Sequence, residues 1–110
     1  MADASFKEYV MDQLSVLSEL RAKRMFGGYG IYQGEHFFAI IVDGRLYFKA
    51  DDVTRRAYIK KGMGPFTYQK DERIISMKYF EVPPDVLEDR FELATWANIS
   101  IEVARKEKSA

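Results

Sequence analysis

The order of elements along this chain predicts an α+β domain of two layers, an antiparallel sheet with helices packed on one face. Three observations predict it: helical spacing of apolar residues near both ends, Gly-punctuated aromatic and β-branched runs between them, and a hairpin signal at Asp43-Gly44. The expected order is α-β-β-β-β-α-β-β-α.

The first helix is read over Ser5 to Leu20. Phe6, Tyr9, Val10, Leu14, Leu17 and Leu20 recur at steps of three and four, one face of a helix. Ser5-Phe6-Lys7-Glu8 has the form of a capping box, in which a hydroxyl and a carboxylate each satisfy an amide at the helix start. After Ala22 the pattern changes. Gly27, Gly28, Gly30, Gly34 and Gly44 separate short runs with the composition of strands joined by tight turns.

Asp43-Gly44 supplies the positive φ angles of a two-residue hairpin between the runs Phe37 to Val42 and Arg45 to Lys49. Gln33-Gly34-Glu35 turns the preceding strand, Tyr29 to Tyr32, into the same meander. Leu46 and Phe48 alternate with Arg45, Tyr47 and Lys49, so one face of that strand is buried and the other wet.

Asp51-Asp52 offers an N-cap for a short helix, Val53 to Lys61, with Val53, Ala57 and Tyr58 turned inward and Gly62 at its end. Lys60-Lys61 suits the negative C-terminal end of that helix. A hairpin of Phe66 to Gln69 and Ile74 to Glu81 follows, and Pro83-Pro84 stops it, because proline cannot donate to a ladder. Pro84 to Glu88 makes one helical turn. Asp89, with Glu92 three residues on, caps a final helix whose stripe is Leu93, Trp96, Ala97, Ser100, Val103 and Ala104.

A chain of 110 residues with 47% hydrophobic and 31% charged residues is long enough for one core, so residues 1–110 are read as a single domain. Lys plus Arg and Asp plus Glu number 17 each, which leaves no global field to draw the chain onto nucleic acid or an anionic membrane. Any such contact must be local. The absence of Cys excludes disulfides, thiolate nucleophiles and cysteine metal sites. The longest apolar run, Phe37 to Val42, is too short to span a bilayer or form a signal core, and a soluble, cytoplasmic protein is expected.

Tests for chemistry find little. Gly28-Tyr29-Gly30-Ile31-Tyr32-Gln33 has two of the three glycines of a dinucleotide fingerprint and runs into a strand, so no helix N-terminus is at hand for a pyrophosphate. His36 is the one imidazole and reads as a partly exposed turn residue. Asp51-Asp52 reads as capping, not paired acid and base catalysis. No catalytic residue, cofactor or metal site is expected.

Binding is the better prospect. Tyr29, Tyr32, Tyr47, Tyr79 and Phe80 lie in strand segments interleaved with Arg45, Lys49 and Lys78, a pattern open to core packing, a protein interface or base stacking. Two basic clusters stand out, Arg21-Lys23-Arg24 before the glycines and Arg55-Arg56-Lys60-Lys61 on the short helix. Each is suited to phosphates, an acidic partner or a solvated face balanced by Glu19, Glu35, Asp51 and Asp52.

The segment Arg21-Ala22-Lys23-Arg24-Met25-Phe26-Gly27-Gly28-Tyr29-Gly30-Ile31-Tyr32 resembles the signature of the TfoX N-terminal domain family, also called the Sxy family of competence regulators. The likeness continues through Phe37-Phe38-Ala39, Asp43 to Asp51, Pro65 to Tyr68, Ser76 to Phe80, Pro83, Leu87-Glu88-Asp89 and Trp96-Ala97.

The resemblance implies a two-layer fold like the type III secretion chaperones and regulation of DNA-uptake genes, with a transcription regulator of the cyclic-AMP receptor type as partner. Members with that role carry a second, C-terminal domain, for which 110 residues leave no room, so a stand-alone N-terminal module is expected. The function expected is that of a non-enzymatic adaptor acting through protein contacts, with a homodimer anticipated and no membrane partner. The alternatives are direct nucleic-acid binding and chaperone-like peptide binding. In the signature, Gly27, Gly28 and Gly30 permit a turn or bulge between the first two strands while Met25, Phe26 and Ile31 pack. The expected interaction surface is Arg21, Lys23, Arg24, Gly27, Gly28, Tyr29, Arg55 and Arg56.

Overall fold

A computed structural model describes residues 2–25 and 27–109. Its elements run α1 (Ala2–Gln13), β1 (Leu20–Met25), β2 (Gly28–Gln33), β3 (His36–Val42), β4 (Arg45–Lys49), α2 (Arg55–Lys60), β5 (Pro65–Lys70), β6 (Arg73–Glu81), α3 (Pro84–Glu88) and α4 (Arg90–Ser109). The six strands form one open antiparallel sheet in the order β1-β2-β3-β4-β6-β5. The α+β class and the order of elements are those expected, with Pro84–Glu88 as the extra helical turn.

The first helix differs from its expectation at both ends. It begins at Ala2, so Ser5 lies inside it and is no cap, and it ends at Gln13. The apolar spacing runs on because Leu14 still donates its amide to the Val10 carbonyl at 2.9 Å and Leu17 to that of Leu14 at 2.9 Å, a tightened turn that keeps both side chains on the core side. Glu19, at a φ of 59°, then turns the chain so that Leu20 opens a strand. Tyr9, placed in the buried stripe by its spacing, is 42% exposed.

The second helix starts two residues late. Asp51 does cap, its Oδ1 accepting the amides of Val53 at 3.0 Å and Thr54 at 2.8 Å, but it caps a lone turn that leads into Arg55. With six residues the helix turns one side chain, Tyr58, fully inward, and Val53 and Ala57 are exposed. Asp52 is no cap; it stands 3.8 Å from Arg55. The final helix is capped as read, since Asp89 Oδ1 accepts the amides of Phe91 at 3.0 Å and Glu92 at 3.1 Å. Glu92 instead receives the Trp96 indole N–H at 3.3 Å.

One face of the sheet carries the main core. Ile31 lies opposite Ala39, Ala39 opposite Phe48, Ile41 opposite Leu46 and Phe48 opposite Phe80, a continuous apolar band. Val10 and Leu14 from the α1 region, Val86 from α3, and Leu93, Ala97, Ile101 and Ala104 from α4 close over it. Each large side chain so buried contributes roughly 1.5–3 kcal/mol. The register slips between Ile31 and Tyr32 against β3, so that Phe38 has no opposite residue, and Phe38 and Ala39 are both buried in the core. Of the turn or bulge expected between the first two strands, the turn is present at Gly27, and the bulge lies between the second and third strands.

Candidate interaction site on the open sheet face

Strand side chains alternate, so the residues between those of the core face point away from the helices. Tyr32 lies opposite Phe37, Ile40 opposite Tyr47 and Lys49 opposite Tyr79. Their rings form a chain of contacts. Tyr32 stacks on Phe37 with centroids 4.9 Å apart, Phe37 leans on Tyr79 at 5.7 Å, Tyr47 meets Phe66 edge-on at 5.2 Å, and Phe66 lies 6.3 Å from Tyr68. Ile40 and Tyr79 are 2% and 5% exposed yet stand apart from the cluster packed by the helices. Burial holds the Tyr79 phenol well above its ordinary value, with the Glu107 carboxylate and Tyr32 adding to the shift.

Between these rings opens a groove of about 380 Å³ lined by Phe37, Ile40, Phe66, Tyr68, Met77 and Tyr79. Every lining residue belongs to β3, β5 or β6, so the groove is a feature of the sheet alone. It is floored by buried Ile40 and Tyr79 and rimmed by exposed Tyr68. An apolar cleft of this kind takes an apolar or aromatic side chain.

Charge is unevenly divided. Eight of the 17 Lys and Arg residues but a single carboxylate, Glu81, lie in the six strands, so the sheet carries a net +7 and the helices, turns and ends −7. By alternation Arg21, Lys23, Arg45, Lys49, Lys70 and Arg73 project from the open face. Arg45 is paired with Glu81 at 3.1 Å and Lys49 with Glu107 of α4 at 2.9 Å. Arg21 lies over the Tyr32 ring at 4.5 Å. Zero net charge conceals a cationic set of strands, balanced by the acidic turns between elements while the helices sum to zero.

The expected surface residues do not form one patch. On β1, Arg21 and Lys23 face the open side, whereas Arg24 is turned the other way, with its guanidinium 5.8 Å and the Lys7 ammonium 5.4 Å from the Tyr29 ring centroid. Arg55 and Arg56 sit on α2, which packs by β6. Four strand spacings, roughly 19 Å, separate β6 from β1. His36 opens β3, and its Nδ1 is buried without a hydrogen-bond partner among the described residues. It borders a shallow recess of about 290 Å³ in which the nearby carboxylates are engaged, Glu35 by Lys108 at 3.1 Å and Glu107 by Lys49. The Lys108 ammonium holds the Glu35 carboxyl below its usual range. Among the described residues no group of His, Asp and Glu side chains is arranged to hold a metal ion.

The model of the TfoX N-terminal domain matches residues 12–104. The chain belongs to that family. The Escherichia coli protein Sxy is 27% identical to it over 99% of the chain, a match that takes in 53% of Sxy. The DNA transformation protein TfoX1 of Aliivibrio fischeri is 29% identical over 60% of the chain and 32% of its own length. An uncharacterised 12.7 kDa protein of Spirochaeta aurantia is 33% identical over 63% of the chain and 61% of its own length. The chain thus spans about half the length of Sxy.

The glycines of this TfoX-type signature have separate physical jobs. Gly27 makes the turn at a φ of +73°, with open space where a Cβ would stand. Gly28 admits the backbone of β3, and a Cβ on Gly30 would meet the Met25 side chain at 2.8 Å and the Phe37 ring at 2.9 Å. Gly30 is therefore the hollow into which Phe37, a wall of the groove, is set. Phe26, expected to pack with Met25 and Ile31, lies outside the described residues. Of the groove residues, Phe37, Ile40, Phe66, Tyr68 and Met77 were not singled out as binding residues from sequence. The usable signal was the alternation Ile75, Met77, Tyr79, which sets three apolar side chains on the face of β6 turned away from Phe80.

Proposed function

We propose that this domain regulates transcription without catalysing a reaction, by docking a protein partner on the open face of its sheet. The observation that carries the reading is the groove between Phe37, Phe66, Met77 and Tyr79, an apolar cleft lined by strand residues. Membership of a competence-regulator family supports the regulatory part. A transcription regulator of the cyclic-AMP receptor type is the partner that the resemblance implies.

The experiment is a transcript profile of the organism that encodes the protein, after deletion of the gene and complementation. A defined set of transcripts is expected to change on deletion, to return with the wild-type chain, and not to return with a folded Met77→Glu variant. An unchanged profile on deletion overturns the regulatory reading. Full restoration by Met77→Glu overturns the role of this face.

A further inference from the structure

We infer that the open face takes an acidic segment of its protein partner, one that sets an apolar or aromatic side chain into the groove and lays carboxylates on the cations at either side. The inference rests on the docking reading above and adds the chemistry of the partner.

The charges of the face carry it. Once Arg45 and Lys49 are matched by Glu81 and Glu107, four cations remain on this side: Arg21 and Lys23 from the β1 edge, and Lys70 and Arg73 from the β5–β6 hairpin. Among the described residues none of the four has a carboxylate within ion-pair distance. They flank an apolar floor from opposite edges of the sheet. From β1 to β5 is five strand spacings, roughly 24 Å, the reach of about seven residues of extended chain. A segment of that length crosses from one pair of cations to the other over the groove.

Other occupants fit less well. A second copy docked face to face would set these four cations against the same four, a like-charge juxtaposition that disfavours self-pairing. A single-stranded nucleic acid would find the cations but few free ring faces. Tyr32 and Phe37 stack on each other, and Tyr79 is buried. Base-stacking platforms need exposed rings.

The test measures binding to the full chain by fluorescence anisotropy with four probes. The first is a synthetic 12-residue peptide in which Asp and Glu alternate with Leu and Phe. The second has Lys in place of the acids, the third has Ser in place of the apolar residues, and the fourth is a mixed-sequence single-stranded DNA. The first peptide is expected to bind, with affinity falling about tenfold or more as salt is raised. The second and third bind at least about tenfold more weakly, and DNA does not compete. Arg21→Glu/Lys23→Glu, an exposed pair, weakens the first peptide by about tenfold, and Arg55→Glu/Arg56→Glu, off this face, leaves it unchanged.

No binding of the first peptide at about 1 mM overturns the inference. So does equal or tighter binding of DNA, or a dimer in light scattering that Met77→Glu dissolves. If the Lys-containing peptide binds in the groove as well as the acidic one, the inference fails while the docking reading stands. If Met77→Glu also restores the transcripts fully, both fail.

Discussion

The Cβ that Gly28 lacks would stand 1.9 Å from the carbonyl oxygen of Ile41. That oxygen cannot yield, because Ile41 is paired with Tyr29 on one side and Leu46 on the other, in the middle of the sheet. Gly28→Ala must push β2 off β3 and is expected to cost about 3 kcal/mol or more, a fall in Tm on the order of 12 °C. Gly27→Ala has room for its methyl group and loses only the ease of a positive φ, about 1–2 kcal/mol. Thermal melts of the two variants give the ranking, and equal losses would refute this division of labour.

Gly30 differs from Gly28 because the atoms in the way belong to side chains, the Met25 thioether and the edge of the Phe37 ring. Met25 can move, but Phe37 is held by its stack on Tyr32 and its contact with Tyr79. Gly30→Ala is expected to cost about 1–3 kcal/mol and to displace Phe37 into the groove. Met25→Ala/Gly30→Ala should recover part of that loss, so the pair is non-additive. Urea titrations of the two single variants and the double check it, and strict additivity would mean that Met25 gives no relief.

Much of this fold was legible because its signals are local. Asp43-Gly44, the Asp89 cap and the run of Leu93, Ala97 and Ala104 are each decided within a few residues. The errors fall where one side-chain pattern suits two backbones. Leu14 and Leu17 keep helical spacing through a turn that is not a helix, and Val53 is apolar in a segment too short to bury it. The groove was hidden for another reason. Phe37 and Phe66 meet Tyr79 and Tyr47 only through the strand order, in which β6 inserts between β4 and β5. The same order collects cations that are scattered through the sequence onto one face.

Asp51 and Thr54 cap each other, since Asp51 Oδ1 accepts the Thr54 amide at 2.8 Å and Thr54 Oγ1 accepts the Asp51 amide at 2.9 Å. Asp51→Ala is expected to cost about 1 kcal/mol. The Thr54 amide holds the Asp51 carboxyl below its ordinary value, with the Thr54 hydroxyl, the Val53 amide and Lys106 acting the same way. A lowered folded-state pKa contributes stability above the unfolded value of about 3.9, and that stability is lost as pH falls through the lower folded value. Asp51→Asn keeps an accepting oxygen but does not titrate. Denaturation midpoints should place it slightly below wild type at pH 7 and converge with wild type in acid; a gap that widens in acid would contradict the cap.

Tyr58 is 3% exposed, edge-on to Trp96 at 4.8 Å and tilted against Phe80 at 5.8 Å, with its hydroxyl 3.4 Å from that of Ser100. It pins the short helix α2 to α4. Burial pushes its phenol up to about 12, partly offset by the Ser100 hydroxyl. The folded state therefore keeps a proton that the unfolded chain releases near pH 10. Its contribution is fully present below pH 10 and is lost as pH rises through about 12, a total of roughly 2–3 kcal/mol. Tyr79, also raised by burial, adds to the same alkaline loss. Tyr58→Phe keeps the ring packing and removes the titration, at a cost near neutrality of about 1 kcal/mol for the lost hydroxyl contact. Urea midpoints at pH 8, 9.5 and 11 should show the variant starting lower and falling less steeply, with the remaining slope set by Tyr79. A variant that falls as steeply as wild type would show that the Tyr58 phenol reaches solvent before the sheet opens, so that α2 lifts from α4 while the rest of the domain stays folded.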